Sequence, residues 1–314
     1  MTPSGSNHDR PVLVILAAGL AKRYGGTKPL APVGLHGEAV IDLTAADAVS
    51  GGFGDIVVVL GPQTGPAIAY HVRRAFPPQL RVTFAEQRVP LGTAHAVLCA
   101  RKHVGDGPFA VVNSDDVYGS PALALLAGHL ASPAGPDGEQ HAIVAYHLAD
   151  TVVTDDPVTR GACEVDAGGL LVRLVERRKV ARQPDGRFVA DDGLDPGELS
   201  PDTPTSMNLW GFRPSIWPVL EAAVVGAHPS VAPDGSVRDP EDLNSDAEVL
   251  LPEVVGAAIA GTRAGGPDQV VRVLTASGRC IGVTHAEDLP VVRTELAQMI
   301  GRGLRPENPW EGVA

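Results

Sequence analysis

The stretch VLVILAAGLAKRYGGTKPL, residues 12–30, decides the fold of this chain. It begins with a continuous apolar run, 12–16, which is typical of a strand buried on both faces in a parallel sheet. Small residues follow at Ala17, Ala18 and Gly19, where phosphate oxygens can approach the backbone N–H groups. The pattern therefore predicts a buried strand that ends in a phosphate-binding loop.

Two cations in this loop favour a triphosphate as its ligand. Arg23 offers a planar fork of donors that can chelate phosphate, and Lys28 offers a compact point charge just before Pro29. On the glycines alone, an ordinary strand-loop-helix connection would explain the segment equally well. With both cations included, we expect residues 16–30 to hold the triphosphate of a nucleotide.

The bulk properties of the chain exclude some partners. Its 314 residues suffice for one large α/β domain. The formal net charge of −12 disfavours nucleic acid and anionic membranes, which require basic surfaces. Cys99, Cys163 and Cys280 lack metal-binding spacing and the histidines form no zinc motif, so we expect a protein of the reducing cytoplasm. No apolar run approaches the roughly 18 residues of a membrane span.

Apolar runs alternate with helical patterns along the first half of the chain, which is the signature of βαβ units. We therefore predict an α/β fold with a mixed, mainly parallel sheet flanked by helices. The predicted strands are 12–16, 56–60, 82–85, 109–112 and 143–146. Ligands of such sheets bind at the carboxyl ends of the strands, where Gly19, Gln87 and Asp115 fall.

The segment around Gln87 has features of a base-binding site. Gln87 follows a predicted strand, and its amide can read a base edge. Gly92 and Thr93 then open a helix whose first N–H groups can face an anion or a base. A plain strand-to-helix turn explains this segment equally well.

Two adjacent carboxylates, Asp115 and Asp116, follow the predicted strand 109–112. Such hard oxygen ligands suit Mg²⁺, which completes its shell with phosphate oxygens and water. Adjacent residues of a strand point to opposite faces, so one of the two is the expected direct ligand. A solvated acidic turn that caps the next helix is the alternative.

The segments LAAGLAKRYGGTKPLAPV, EQRVPLGTAHAV and NSDDVYG together resemble the sugar-1-phosphate nucleotidyltransferases. The segment from Arg160 to Arg177 resembles the family's glycine-hairpin-glutamate motif, and 206–212 resembles its later sugar-facing strand. Five segments in the family's order make the resemblance specific over most of the chain. The resemblance implies a Rossmann-like, GT-A-like sheet with a small β-rich insertion that binds the sugar.

The resemblance also implies a role for individual residues. Arg23, Lys28 and Asp115 would be catalytic, with the triphosphate on the two cations and Mg²⁺ on Asp115. The nucleotide would contact Leu16, Ala17, Ala18, Gly19, Gln87, Pro90, Gly92 and Thr93. The sugar phosphate would contact Asn113, Gly161, Glu176, Lys179 and Asn208.

This chain departs from the family pattern in its phosphate-binding segments. Ala21 replaces a glycine that the family usually has in the first loop, so a stiffer or displaced loop is expected. Glu176 is followed by Arg177, Arg178 and Lys179, where the family has Lys-Pro. The lysine that reaches the sugar phosphate is therefore shifted along the chain.

A second metal ligand is less clearly placed by the resemblance. Thr284 stands where some relatives have a metal-binding aspartate. Asp288 either substitutes for that aspartate or caps the final helix, and we favour the cap.

The resemblance divides the chain into functional segments. We assign 1–10 to a disordered lead-in, 11–303 to the nucleotidyltransferase domain and 304–314 to a tail. Within the domain, 11–150 is the nucleotide-binding half and 151–303 the sugar-phosphate-binding half. The Pro-, Gly- and Asp-rich stretch 183–205 is expected to be a flexible loop, either a lid or disordered.

The expected activity is transfer of NMP from an NTP to a sugar-1-phosphate or a sugar-like cyclitol phosphate, with Mg²⁺ as cofactor and pyrophosphate as product. One alternative is a cytidylyltransferase for a non-sugar phosphate or phosphonate. Two others are a non-catalytic nucleotide-sugar sensor and a glycosyltransferase with a similar sheet, both disfavoured because Arg23 and Lys28 are present. The base, the sugar and the oligomeric state are not specified, although a homo-oligomer is compatible with the sequence.

Overall fold

The structure is a computed structural model, and it describes residues 10–19, 25–133, 140–152, 156–238, 247–265, 269–283 and 286–313. Ala21, Arg23 and Thr284 lie outside these ranges, as does nearly all of the lead-in. The roles assigned to them above stay predictions.

Four parallel strands form the centre of the sheet. β1 (Val12–Ala17) lies between β2 (Ile56–Leu60) and β4 (Phe109–Asn113), and β3 (Val82–Glu86) pairs with β2. Every residue of β2 is buried, because the strand is covered on both of its faces. The predicted mainly parallel sheet is confirmed.

Helices cover both faces of this sheet. On one face pack α1 (Val40–Ser50), α2 (Gly65–Ala75) and α4 (Ser120–Ala131). On the other face pack α3 (Thr93–Val104), α5 (Trp217–Ala227) and α6 (Leu251–Arg263). Each connection from β1 to β2, β2 to β3 and β3 to β4 contains a helix, so the four parallel strands end at the same edge of the sheet.

The remaining strands extend this sheet or lie outside it. Antiparallel pairs connect β6 (Gln140–His147), β7 (Val158–Val165), β8 (Leu171–Arg182), β9 (Phe188–Val189), β10 (Glu198–Leu199) and β11 (Pro204–Phe212), and β12 (Val270–Thr275) pairs with β6 in parallel. A separate two-stranded sheet is formed by β5 (Asp116–Val117) and β13 (Ile281–Gly282). β7 and β8 form the predicted hairpin, with Gly169 at φ 79° in its turn. β11 is antiparallel to β4, β6 and β7, and it therefore joins the hairpin to the parallel strands.

The short strands β9 and β10 lie within 183–205, where the sequence shows no periodicity. β9 pairs with β8 and β10 pairs with β9. Phe188 and Leu199 contribute to an apolar cluster that also includes Leu148 and Val180. Strands of two residues are too short to produce an alternating pattern, so the sequence could not indicate them.

A buried ion pair holds the same segment against β8. The Arg177 guanidinium donates to Asp192 at 2.7 Å, and both side chains are less than 5% exposed. The same guanidinium donates to the carbonyls of Leu194 and Pro196 at 3.2 and 2.9 Å. One side chain thus organises the backbone over residues 192–196.

Arg177→Met is expected to speed proteolytic cleavage within 183–205 about tenfold, because it leaves Asp192 buried without a cation and releases the segment to local opening. Limited digestion with thermolysin, with cut sites located by mass spectrometry, measures the rate. Arg182→Met removes an exposed arginine from the same strand and serves as the control. Equal cleavage of both variants would contradict the assignment. If the segment 183–205 is a lid, its cleavage should be slower in the presence of both substrates.

The last residues of the chain dock on the helices of one face. Arg305 makes a bidentate ion pair with Asp47 of α1 at 2.8 and 3.0 Å, and both side chains are buried. The rings of Trp310 and Phe76 lie 5.0 Å apart. Between β13 and this segment, α7 (Leu289–Gly301) packs in a separate apolar cluster with Val117. Among the helices described, none is long and apolar enough to cross a bilayer.

Candidate active site

The carboxyl edge of the parallel strands brings the predicted nucleotide-binding residues together. Ala18 and Gly19 follow β1, Gln87 follows β3 and Asn113 ends β4. A Cβ built on Gly19 would meet no described atom within 4 Å, so space is open beside this residue. Gly61, which follows β2, could carry no Cβ, because that atom would lie 2.5 Å from the Ala18 carbonyl oxygen. The backbone at this edge is therefore tightly packed between Ala18 and Gly61, whereas no described atom fills the space beside Gly19.

Lys28 and Asp115, both predicted to be catalytic, contact each other directly. Lys28 begins a short 3₁₀ helix with Pro29, and its ammonium donates to Asp115 Oδ2. The two side chains are 16% and 29% exposed. The Asp115 carbonyl accepts from Val283 N–H at 3.1 Å, which fixes the backbone under the carboxylate. The cation predicted to bind phosphate thus neutralises the carboxylate predicted to bind the metal.

Asp116 is more deeply buried than Asp115 and belongs to a polar cluster. Asn113 Nδ2 donates to Asp116 Oδ2 at 3.0 Å. The Tyr118 hydroxyl accepts from the Asn113 backbone N–H at 3.0 Å and donates to the Met207 carbonyl at 2.9 Å. Burial, followed by the nearby Asp115 charge, raises the pKa of Asp116 to about 6.

Asp116→Asn is expected to stabilise the protein at high pH. The folded-state pKa of Asp116 lies above its ordinary value of 3.8, so ionisation disfavours folding, and this penalty grows as pH rises from about 4 to about 6. At pH 8, in metal-free buffer, the variant should gain roughly 2–3 kcal/mol in unfolding free energy, and the gain should vanish near pH 4. Urea unfolding across this pH range measures it. A pH-independent difference, or the same profile in the exposed control Asp106→Asn, would contradict the argument.

A polar cavity of about 580 Å³ adjoins this cluster. Its lining includes Asn113, Asp116, Thr159, Arg160, Gly161, Val172, Arg173, Leu174, Glu176, Ser206, Met207, Asn208, Leu250, Pro252, Glu253, Gly256 and Ala260. Four of the five residues predicted to contact the sugar phosphate are among them. Its size suits a small ligand, and amide, hydroxyl, carboxylate and guanidinium groups alternate around it.

A bulge in β11 shapes one wall of this cavity. The register of β11 against β6 shifts between Ser206 and Leu209, and Asn208 there has φ 58°. Asparagine tolerates this left-handed conformation better than most residues. Gly161 lies opposite, and a Cβ on it would be 3.4 Å from the Ser206 Cβ. A Cβ at Gly161 would therefore make an ordinary van der Waals contact with Ser206, two residues from Asn208.

Arg160 is the cavity residue whose role the sequence did not indicate. Its Nε donates to Thr151 Oγ1 at 3.2 Å, Nη1 to the Thr159 carbonyl at 2.9 Å and Nη2 to the Thr151 carbonyl at 2.6 Å. No carboxylate among the described residues forms an ion pair with it. A guanidinium has five N–H groups, so one on each Nη remains for a ligand. By contrast, Arg173, the other cation of the cavity, is paired with Glu164.

Lys179 and Asp288, predicted to bind phosphate and metal, do not line the cavity. Lys179 is exposed, and its ammonium donates to Asp191 at 3.0 Å. Asp288 is buried at the start of α7 and occupies the N-cap position, but it does not make the side-chain capping hydrogen bond that the sequence favoured. The contribution of either residue to phosphate or metal binding stays a prediction. In the part of the chain that the structure describes, no group of three or more His, Cys, Asp or Glu side chains forms a metal site.

The predicted base-binding segment is tied to the strand-like stretch before α6. Gly92, at φ 95°, could carry no Cβ, because that atom would lie 2.4 Å from the Val249 carbonyl oxygen. The same carbonyl accepts from Ala94 N–H at 3.0 Å, and Thr93 Oγ1 accepts from Leu251 N–H at 2.8 Å. Protein atoms therefore occupy part of the helix N-terminus that the sequence assigned to a ligand. Pro90 is exposed beside it.

Known proteins are similar to about half of this chain in sequence. The family model of the MobA-like NTP transferase domain matches residues 13–164. A bifunctional protein GlmU from Aromatoleum aromaticum is 33% identical over 168 residues, which are 53% of this chain and 33% of that protein. A glucose-1-phosphate thymidylyltransferase from Mycolicibacterium smegmatis is 26% identical over 174 residues, 54% of this chain and 56% of that protein. The chain thus aligns with one third to just over half of each relative's length.

A solved structure extends the similarity of fold to nearly the whole chain. The inositol-1-phosphate CTP transferase from T. maritima superposes with a TM-score of 0.61 at 13% identity, over 93% of this chain and 97% of that one. The match in fold therefore extends beyond residue 164 into the second half of the chain. Residues 13–164 match the model of the MobA-like NTP transferase domain, and the resemblance to sugar-1-phosphate nucleotidyltransferases is confirmed.

Proposed function

We propose that this protein transfers NMP from an NTP to a phosphorylated polyol, either a sugar-1-phosphate or a cyclitol phosphate. The observation that carries the proposal is the cavity that Asn113 and Asp116 line. Asn113 ends β4, and Asp116 is one residue from Asp115, which contacts Lys28 of the predicted triphosphate-binding segment. The cavity is also lined by Glu176 and Asn208, whose polar atoms suit ring hydroxyls. Two substrates would therefore meet near Asp115.

The reaction needs positioning more than acid-base chemistry. A phosphate monoester is largely dianionic near neutrality, since its second pKa is about 6. One of its oxygens would form a bond to the α-phosphorus of the NTP, while the bond from that phosphorus to the bridging oxygen breaks and pyrophosphate leaves. Lys28 would move from Asp115 to the phosphates and stabilise the developing charge. Arg23 would contribute in the same way.

The donor set at the end of β4 fits Mg²⁺. Asp115 and Asp116 provide hard carboxylate oxygens, and Asn113 provides an amide oxygen, the ligand types that Mg²⁺ prefers. When bound, Mg²⁺ would neutralise phosphate charge. Asp115 would hold it, and release of Lys28 from that carboxylate would leave both groups available to the nucleotide.

The proposal is tested by a matrix of five NTPs against acceptor phosphates, with Mg²⁺, scored for pyrophosphate and for the mass of the product. Acceptors should include hexose-1-phosphates, inositol-1-phosphate, phosphocholine and a phosphonate. We expect a product with at least one ring polyol phosphate. Turnover of only the open-chain acceptors would favour the cytidylyltransferase alternative. Nucleotide binding without any turnover would favour the sensor.

A further inference from the structure

Gln87 is held by two acceptors, which fix the orientation of its amide. The side chain is buried, and its Nε2 lies 2.9 Å from the Gly92 carbonyl oxygen and 3.1 Å from His95 Nδ1. An amide nitrogen carries two hydrogens, and these two contacts use both. Among the described residues no donor contacts Oε1. The side chain can therefore offer a ligand only its carbonyl oxygen.

The tautomer of His95 follows from its other neighbour. His95 is fully buried in α3, and its Nε2 lies 2.9 Å from the Gly235 carbonyl oxygen. The Val89 carbonyl also interacts with the His95 ring. A carbonyl only accepts, so the Gly235 contact places the proton on Nε2, and Nδ1 then presents a lone pair to the Gln87 amide nitrogen. Burial lowers the pKa of His95, which keeps the ring neutral near pH 7. The hydrogen bonds then run in one direction, from Gln87 to His95 to Gly235.

The loop that supplies the Gly235 carbonyl requires a glycine. Gly235 has φ 79°, and a Cβ on it would lie 2.8 Å from the backbone nitrogen of Cys99. The loop is thus pressed against α3, with the Cys99 thiol also within 3.6 Å of the same carbonyl. The Gly235 carbonyl is therefore held as a hydrogen-bond acceptor against the buried His95 ring.

We propose that His95 is a positioning residue that sets base specificity by locking the Gln87 amide in one orientation, an inference that rests on the proposed function and on the predicted contact of Gln87 with the nucleobase. A locked carbonyl oxygen accepts from a base N–H and repels a base carbonyl or ring nitrogen. Uracil has a donor at N3 and an acceptor at C4, whereas cytosine has an acceptor at N3 and a donor at C4. Guanine and adenine differ in the same way at N1 and C6. A Gln87 amide held in one orientation therefore disfavours one base of each of these two pairs, whereas a freely rotating amide could bind both bases.

His95→Leu, Gln87→Leu and the double variant test this lock, with His103→Leu of the same helix as the control. The quantity measured is the ratio of kcat/KM for the preferred NTP to that for its exchanged partner, UTP against CTP or GTP against ATP. We expect His95→Leu to reduce the ratio about tenfold, with kcat for the preferred NTP changed less than threefold. The double variant should match Gln87→Leu alone, because His95 acts through Gln87.

A fall by the same factor for both nucleotides, or additive effects in the double variant, would overturn the proposal and leave the proposed function intact. A wild-type protein that turns over no NTP would instead refute the proposed function. Because His95→Leu can fail to fold, ¹⁵N NMR of histidine-labelled wild-type protein at pH 7.5 provides a second measurement. A proton on Nε2 of His95 supports the lock, and a proton on Nδ1 overturns it.

Discussion

Lys28→Met is expected to lower pyrophosphate release on the order of 10²–10³-fold in a protein that remains folded. Lys28 is one of three cations that follow β1 closely in the chain, and it already lies at the end of β4 against Asp115. Methionine preserves most of the side-chain volume but cannot stabilise charge on the departing pyrophosphate. The loss should therefore appear in kcat more than in the KM for the acceptor.

The matched control for this variant is Lys102→Met, which makes the same change at an exposed position in the last turn of α3. Steady-state rates from a coupled pyrophosphate assay, together with thermal melting curves for both variants, separate catalysis from folding. Lys28→Met with activity within threefold of wild type would remove Lys28 from the catalytic machinery.

The parallel half of the fold was predictable because its strands carry a strong local signal. Residues 56–60 are Ile-Val-Val-Val-Leu, and all five are buried in β2. A run of this kind is stable only between two layers of helices, so both the strand and the helices that cover it follow from the sequence. The positions of Gly19, Gln87 and Asn113 at one edge then follow from the parallel arrangement.

The local sequence pattern does not determine which groups the cations near the hairpin contact. Arg177 and Lys179 are two residues apart, and either could have reached a sugar phosphate. Arg177 is instead buried because Asp192, fifteen residues later, turns back onto it. Lys179 pairs with Asp191 on the surface. The ion-pair partners of Arg177 and Lys179 depend on the path of the connecting segment. The sequence of that segment has no periodicity from which its path could be predicted.

The contribution of α6 to the cavity could not be predicted from the sequence either. Pro252 and Glu253 line the cavity from its first turn, although α6 follows β4 by more than 130 residues. The contact depends on the pairing of Val249 with Leu91 and Ala94, which is a backbone interaction that carries no side-chain signature. Arg160 was visible in the sequence, immediately before the hairpin glycine, but the sequence could not show that none of the described carboxylates forms an ion pair with it.

Arg160→Gln is expected to raise the KM for the phosphorylated acceptor about 30-fold, while the KM for the NTP stays within twofold. Three of the five guanidinium N–H groups bind Thr151 and Thr159, which orients the remaining two. Charge-assisted hydrogen bonds to phosphate are worth roughly 1.5–3 kcal/mol each, and losing one of them accounts for a change of this size. Glutamine keeps a donor at a similar reach but lacks the charge.

Arg173→Gln is the matched control, since Arg173 also lines the cavity but is neutralised by Glu164. Inorganic phosphate provides an independent probe of the same contact. It should inhibit the wild-type protein in competition with the acceptor, and Arg160→Gln should weaken that inhibition by the same factor as it raises the acceptor KM. If Arg173→Gln has the larger effect on both quantities, the acceptor phosphate lies at the outer wall of the cavity and the role assigned to Arg160 is wrong. If Arg160→Gln changes both as expected, the phosphate lies beside Asp116, at the end of the cavity nearest the proposed nucleotide site.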